Sequence, residues 1–74
     1  MWSREVHRYK GLSIIISGEK ASADADHCIL TENGKIIASG TSDEVDYAYY
    51  KRVGEMLGQD LMPQRLKYLC AKEN

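Results

Sequence analysis

The sequence predicts a small α+β fold, in which an antiparallel sheet of two or three strands packs against one main helix and a short C-terminal helix follows. Asn33-Gly34 between apolar, β-branched runs is the strongest short-range signal for a type I′ hairpin turn. Thr41 followed three residues later by Glu44 is a capping-box pattern, which marks the start of a helix. A length of 74 residues leaves room for one domain, residues 1–74.

Two segments before the hairpin have strand character. Residues 3–10 alternate from one face to the other, so we expect residues 1–10 to form either an edge strand or a flexible arm. Residues 12–17 are apolar and β-branched and predict a strand. The side chains expected on one side of it are Leu12, Ile14 and Ile16. Residues 18–26 are small and polar and predict a loop, whose end is able to extend the following strand.

A two-residue turn at Asn33-Gly34 sets the register of the hairpin. The predicted pairs are Glu32 with Lys35, Thr31 with Ile36, Leu30 with Ile37 and Ile29 with Ala38. Leu30 and Ile37 then share one face of the sheet, and the opposite face carries Ile29, Ile36 and Ala38. Both faces are therefore apolar, and each needs a cover.

The main helix is predicted over residues 42–57, with Gly58 as its C-cap. Its apolar stripe, spaced by three and four residues, consists of Val45, Ala48, Tyr49, Val53, Met56 and Leu57. A short second helix is predicted over residues 63–71. It begins at Pro63, because proline is tolerated only in the first turn of a helix. Its apolar side carries Leu66, Leu69 and Cys70.

Three elements are able to pack against the second face of the sheet: the C-terminal helix, the N-terminal strand folded back, or another copy of the chain. We favour a homodimer, because a second copy relieves both the small core and the exposed sheet edge. The alternative is a monomer in which the last helix covers the second face of the sheet.

Composition excludes several classes of function. Ten Lys and Arg against eleven Asp and Glu give a net charge of −1, so the charge of the whole chain does not favour nucleic acid or an anionic membrane. The sequence shows no secretory pattern and no apolar run of about 20 residues, the length that spans a bilayer. We expect a cytoplasmic protein in which Cys28 and Cys70 are reduced and partly buried.

The residues with chemical potential form no recognisable site. Cys28 follows His27, but neighbouring side chains of a strand point to opposite faces, which leaves His7 as a distant partner for the thiol. Asp24 and Asp26 precede this pair without a second ligand cluster to complete a metal site. No phosphate loop, nucleophile elbow or dinucleotide motif is present. We expect no catalytic residue, no metal and no cofactor.

Aromatic and basic side chains make the candidate partner surface. Its residues are Tyr47, Tyr50, Lys51 and Arg52 on the helix, with Arg8 and Lys10 on the N-terminal arm. Tyrosine and arginine are common hot spots of protein interfaces, so the leading hypothesis is a non-enzymatic module that regulates or inhibits another protein by binding it. The alternative is a nucleic-acid-binding protein that uses the basic arm and the same helix face.

Overall fold

Four antiparallel strands, in the order β1-β2-β3-β4, precede a long helix and a short one in the computed structural model, which describes residues 1–20 and 26–72. The elements are β1 (Trp2–Tyr9), β2 (Leu12–Gly18), β3 (His27–Glu32), β4 (Lys35–Gly40), α1 (Ser42–Leu57), a 3₁₀ turn (Gln64–Leu66) and α2 (Tyr68–Lys72). The predicted count of two or three strands is wrong, because the N-terminal residues form an edge strand that pairs with β2 along its length. The α+β class itself is confirmed.

Two tight turns of the same kind join the strands in pairs. Asn33 and Gly34 have φ values of 53° and 85°, as the type I′ prediction requires. Lys10 and Gly11 repeat this pattern with φ values of 31° and 84°, and so they join β1 to β2 as a second hairpin. The Asn33 N–H donates to the Gly11 carbonyl at 2.9 Å, so the two turns brace each other.

The predicted register of the second hairpin is correct only beside the turn. Glu32 opposes Lys35 and Thr31 opposes Ile36, but a bulge follows, and Leu30 then opposes Ala38. The predicted pairs of Leu30 with Ile37 and of Ile29 with Ala38 are therefore wrong. In a bulge two residues of one strand oppose a single residue of the other, which leaves Ile37 without a place in the ladder.

One face of the sheet, the inner face, packs against α1. Its buried core joins two central strands to the helix and consists of Leu12, Ile14, Cys28, Leu30, Val45 and Val53. The helix has its predicted bounds, the capping box of Thr41 and Glu44, and a left-handed C-cap at Gly58. Its stripe is shorter than predicted, because Leu57 is 45% exposed in the last turn.

The opposite, outer face of the sheet follows from the pairing of the strands. It carries Ser3, Glu5, His7, Ser13, Ile15, Ser17, His27, Ile29, Thr31, Ile36 and Ser39. Ile15 and Ile29 are half-buried in the middle of this face, and Ile36 is 62% exposed at its border. Ser13 and Thr31 on this face are buried. Within the described residues, however, α1 packs on the inner face and not on this one.

The chain after α1, residues 59–72, lies against the flank of that helix. The predicted helix over residues 63–71 is a 3₁₀ turn and a five-residue helix, with Leu66 buried and Cys70 exposed. Because this segment contacts α1, it does not close the outer face of the sheet. Across residues 1–20 and 26–72, neither helix has the length and apolarity needed to span a membrane.

Candidate functional site

Acidic residues in the first turns of α1 hold the C-terminal segment in place. The Arg65 guanidinium approaches the Asp46 carboxylate at 3.2 Å and that of Asp43 at 3.5 Å. The Tyr68 hydroxyl donates to Asp43 at 2.8 Å. This hydrogen bond, with some desolvation and the charge of the carboxylate, raises the pKa of Tyr68 above its usual 10.0. The acidic cluster therefore fixes residues 59–72 beside the helix in addition to favouring its N-terminus.

A groove of about 270 Å³ lies between α1 and this segment. Its mostly apolar wall includes Tyr47, Tyr50, Gly54, Leu61, Met62 and Cys70. Three charged residues, Lys51, Glu55 and Asp60, also line it. We name this feature the α1 groove. It combines aromatic rings and the flexible thioether of Met62 with charges of both signs. Such a composition is typical of protein contact surfaces.

The position of the α1 groove follows from the end of the helix. Gly58 turns the chain, and the Gln59 N–H then donates to the Gly54 carbonyl at 3.0 Å. Pro63 has extended backbone angles and no N–H to donate, so the chain between the turn and the next helical residues runs along α1. Leu61 and Met62 are in this way laid beside Tyr47 and Tyr50.

The predicted helix residues separate into three environments. Tyr47 is only 8% exposed, so the expectation that its side chain is exposed is wrong: it lines the α1 groove beside the C-terminal segment. Tyr50 is half-buried and Lys51 is exposed, and both line the α1 groove. The Lys51 ammonium lies 5.9 Å from the centre of the Tyr47 ring.

Arg52 has a structural partner on the sheet. Its Nε and Nη2 donate to the two carboxylate oxygens of Glu32 at 2.8 and 3.1 Å, a bidentate pair between α1 and the end of β3. The hydrogen bond from Arg52 holds the pKa of Glu32 below its usual 4.5, against a smaller effect of desolvation. Because this guanidinium is engaged within the chain, Arg52 is not part of the α1 groove.

The two basic residues near the N-terminus contact aromatic rings. The Arg8 guanidinium lies 4.9 Å from the centre of the Tyr49 ring, and Tyr49 meets Tyr50 edge to face at 5.2 Å. Lys10 lies over Tyr9 at 5.6 Å. Arg8 thus contacts Tyr49, whose ring in turn contacts Tyr50 of the α1 groove. Lys10 lies in the hairpin turn.

Cys28 and the histidines lie on different sides of the sheet. Cys28 is buried on the inner face, where desolvation and, secondarily, the Asp46 charge raise the pKa of its thiol above 9.0. His27 is exposed on the outer face, and His7 Nδ1 shares a hydrogen bond of 2.8 Å with the Ser13 hydroxyl. Neither histidine is therefore placed to activate the thiol.

The candidate metal ligands are spread apart where the structure shows them. Asp24 lies outside the described residues, and the Asp26 carboxylate accepts a hydrogen bond from the Glu19 N–H at 2.9 Å. Among residues 1–20 and 26–72, no three His, Cys, Asp or Glu side chains are grouped as a metal site requires.

Sequence reasoning missed the far wall of the α1 groove. Leu61 and Met62 are two apolar residues between Asp60 and Pro63, in a stretch too short for a helix. That isolated apolar pair after a C-cap glycine was the available signal, since such residues commonly pack back on the helix that they follow. Comparison with known proteins adds no relative: no family model, no curated protein sequence and no solved structure matches this chain.

Proposed function

We propose that this chain is a non-enzymatic protein-interaction module, acting as a homodimer in the cytoplasm and binding another protein through the α1 groove. The observation that carries the proposal is the α1 groove itself, with its tyrosine and methionine wall. The free thiol of Cys28 supports the cytoplasmic location, where cysteines are kept reduced. A regulatory or inhibitory effect on the bound protein is part of the proposal.

The size of the α1 groove favours a protein partner over a small molecule. Pockets for drug-sized ligands enclose roughly 300–1,000 Å³. The α1 groove, at about 270 Å³, falls just below that range and is open at the surface. It suits one large apolar side chain presented by a partner, the arrangement that carries most of the energy in many protein interfaces.

The surroundings of the α1 groove supply the polar rim of such an interface. Lys51 contributes a positive charge, and Glu55 and Asp60 contribute two negative charges. Apolar centres ringed by polar groups exclude water from the anchor and restrict which partners fit. We therefore propose a partner segment with one aromatic or large aliphatic anchor and flanking residues of both charges.

A peptide selection tests this function. Phage-displayed random peptides selected on the immobilised protein are expected to share one large apolar residue. Tyr50→Ala should weaken their binding about tenfold or more, equivalent to about 1.4 kcal/mol, because it removes a wall of the groove. Lys51→Ala should weaken binding less, and Lys35→Ala, at the distant hairpin, serves as its matched control. Peptides that bind equally to the Tyr50→Ala protein would contradict the proposal.

Nucleic-acid binding is the competing function, and the ring contacts argue against it. Base stacking needs a free aromatic face. Of the two candidate tyrosines, Tyr47 is only 8% exposed, and Lys51 lies over its ring. We expect no binding of a labelled single-stranded oligonucleotide at physiological salt. Binding that falls steeply with added salt would instead favour the competing function.

A further inference from the structure

We propose that the outer face of the sheet is the surface through which two copies of this chain pair, face to face. This inference names the surface of the homodimer put forward above and rests on that part of the proposed function. The helix covers the inner face alone, and Ile36 of the outer face remains 62% exposed. A second copy is the occupant that the composition and relief of this face favour.

The outer face is depleted of charge. Of its eleven residues, Glu5 on the edge strand β1 alone carries a formal charge with histidine neutral. The whole chain is 28% charged, a fraction that would place about three charges on a patch of this size. Depletion of charge marks the buried centre of protein interfaces, and two such faces stack without burying an ion.

The relief of the outer face is self-complementary. Ile15 and Ile29 oppose each other across β2 and β3 and stand half-buried as a ridge. Ser13 and Thr31 form the neighbouring row, which is lower because their side chains are shorter than isoleucine. A two-fold axis through the face lays the ridge of each copy beside the low row of the other, as in the interdigitated packing of two sheets.

Two hydroxyl groups of this face already have partners within the chain. Ser13 Oγ is bonded to His7 Nδ1 at 2.8 Å, and Ser17 Oγ donates to the His27 carbonyl at 3.5 Å. Among the described residues, every buried side-chain nitrogen or oxygen has a hydrogen-bond partner. A second copy that covers this face therefore leaves few donors and acceptors without a hydrogen bond. Unsatisfied donors and acceptors are what make the burial of polar groups costly.

The dimensions of the sheet predict a weak dimer. Four strands about 4.8 Å apart, each about six residues long at about 3.3 Å per residue, give a flat footprint of roughly 400 Å² on each copy. Specific interfaces bury roughly 1,200–2,000 Å² in total, so this one, at roughly 800 Å² for the two copies, lies below their lower limit. Dimers should accordingly dissociate on dilution.

The edge of β1 is the competing surface for self-association, and its charges disfavour it. Antiparallel pairing of two β1 strands centred on Val6 sets Arg4 against Arg8 of the other copy. Centring the pair on Glu5 sets two carboxylates against each other. Like charges directly opposite each other destabilise strand pairs, and charged residues commonly protect sheet edges.

Sedimentation velocity of the full chain at micromolar to millimolar concentration tests the assignment. We expect the wild type to shift from 8.4 kDa toward twice that mass as concentration rises. Ile36→Lys should stay monomeric, because it puts a charge at the contact. Val6→Lys and Leu57→Lys are matched controls, because both residues are partly exposed (40% and 45%) and lie off the outer face, and they should dimerise like the wild type. Circular dichroism confirms that each variant is folded.

The outcomes separate the two proposals. A wild type that is monomeric at every concentration overturns both the homodimer and its surface. A wild-type dimer that persists in Ile36→Lys retains the homodimer but overturns the outer face. Loss of the dimer in Val6→Lys alone assigns the interface to the edge of β1 instead. The α1 groove is tested separately, because peptide binding there does not require the outer face.

Discussion

Gly54 is a residue at which α1 and the following segment lie close together. A Cβ placed there would lie 2.5 Å from the Gln59 carbonyl oxygen, a backbone atom that the C-cap holds in place. Substitution of glycine by alanine inside a helix normally raises the free energy of unfolding by about 0.5–1 kcal/mol. We predict that Gly54→Ala instead lowers the free energy of unfolding by about 1–3 kcal/mol through overpacking, measured by urea denaturation.

The control for this steric cost is Gly58→Asn. Gly58 caps the helix in the left-handed region, which asparagine tolerates, and no atom lies within 4 Å of a Cβ built there. This variant should unfold at nearly the wild-type urea concentration. If Gly54→Ala stabilises the protein, the segment after α1 is not held as tightly as the Gln59 contact requires.

Individual side chains were predictable in position but not in environment. The helical spacing placed Tyr47 and Tyr50 together away from the core stripe, which is correct as geometry. Whether such a residue is exposed depends on what the chain does after the helix, and here residues 59–72 return over Tyr47. In the same way, nothing local to Arg52 indicates that Glu32, twenty residues earlier, accepts its hydrogen bonds.

At the scale of elements, the pair of Arg52 and Glu32 joins α1 to the end of β3. The lowered pKa of Glu32 means that the folded state binds the proton less tightly than the unfolded chain. The pair therefore stabilises the fold above the usual carboxyl pKa of 4.5 and loses its effect as pH falls through the lowered value. We predict that Glu32→Gln lowers the melting temperature near neutral pH and that the difference from wild type disappears in acid.

Thermal unfolding followed by circular dichroism at several pH values measures this difference. Glu55→Gln is the matched control, because its carboxylate is exposed and lies 4.0 Å from the same guanidinium. Exposed pairs of that kind contribute little, so its melting temperature should follow the wild type across the pH range. A Glu32→Gln difference that is independent of pH would mean that packing, not charge, accounts for the effect.

Turns and caps were the elements that the sequence predicted well. The capping box and Asn33-Gly34 are local signals, because the bonds that they make lie within a few residues. The bulge in β4 depends on fitting Ala38 over Leu30 beneath α1, a contact that no local pattern specifies. The sequence does not decide the pairing of β1 for a related reason, since an edge strand has only one neighbour to define it.

At the scale of the whole molecule, the two proposed surfaces lie on opposite sides. The inner face carries α1, and the α1 groove is on the flank of that helix, whereas the outer face is behind the sheet. A dimer that stacks two outer faces therefore presents two grooves directed away from each other. Such a bivalent module binds a partner with repeated anchors more tightly than either groove does alone, provided that the linker between the anchors spans the dimer.

The buried thiol of Cys28 reports on the opening of the whole fold. It lies in the core, so a reagent reaches it only when the fold opens, and burial raises its pKa, which disfavours the reactive thiolate. We predict that Ellman's reagent modifies exposed Cys70 at once and Cys28 at least about 10³-fold more slowly than in the denatured chain, as a stability of about 5 kcal/mol implies. The Cys70→Ala variant isolates the slow reaction.

Concentration links this measurement to self-association. A partner that binds only the folded chain reduces opening by mass action. Labelling of Cys28 in the Cys70→Ala protein should therefore slow further as protein concentration rises. Adding Ile36→Lys should remove this dependence on concentration, and the labelling rate of Cys28 at low protein concentration should stay unchanged. Fast labelling of Cys28 at every concentration would contradict its burial, because a side chain in the core among Leu30 and Val45 is reached only when the helix leaves the sheet.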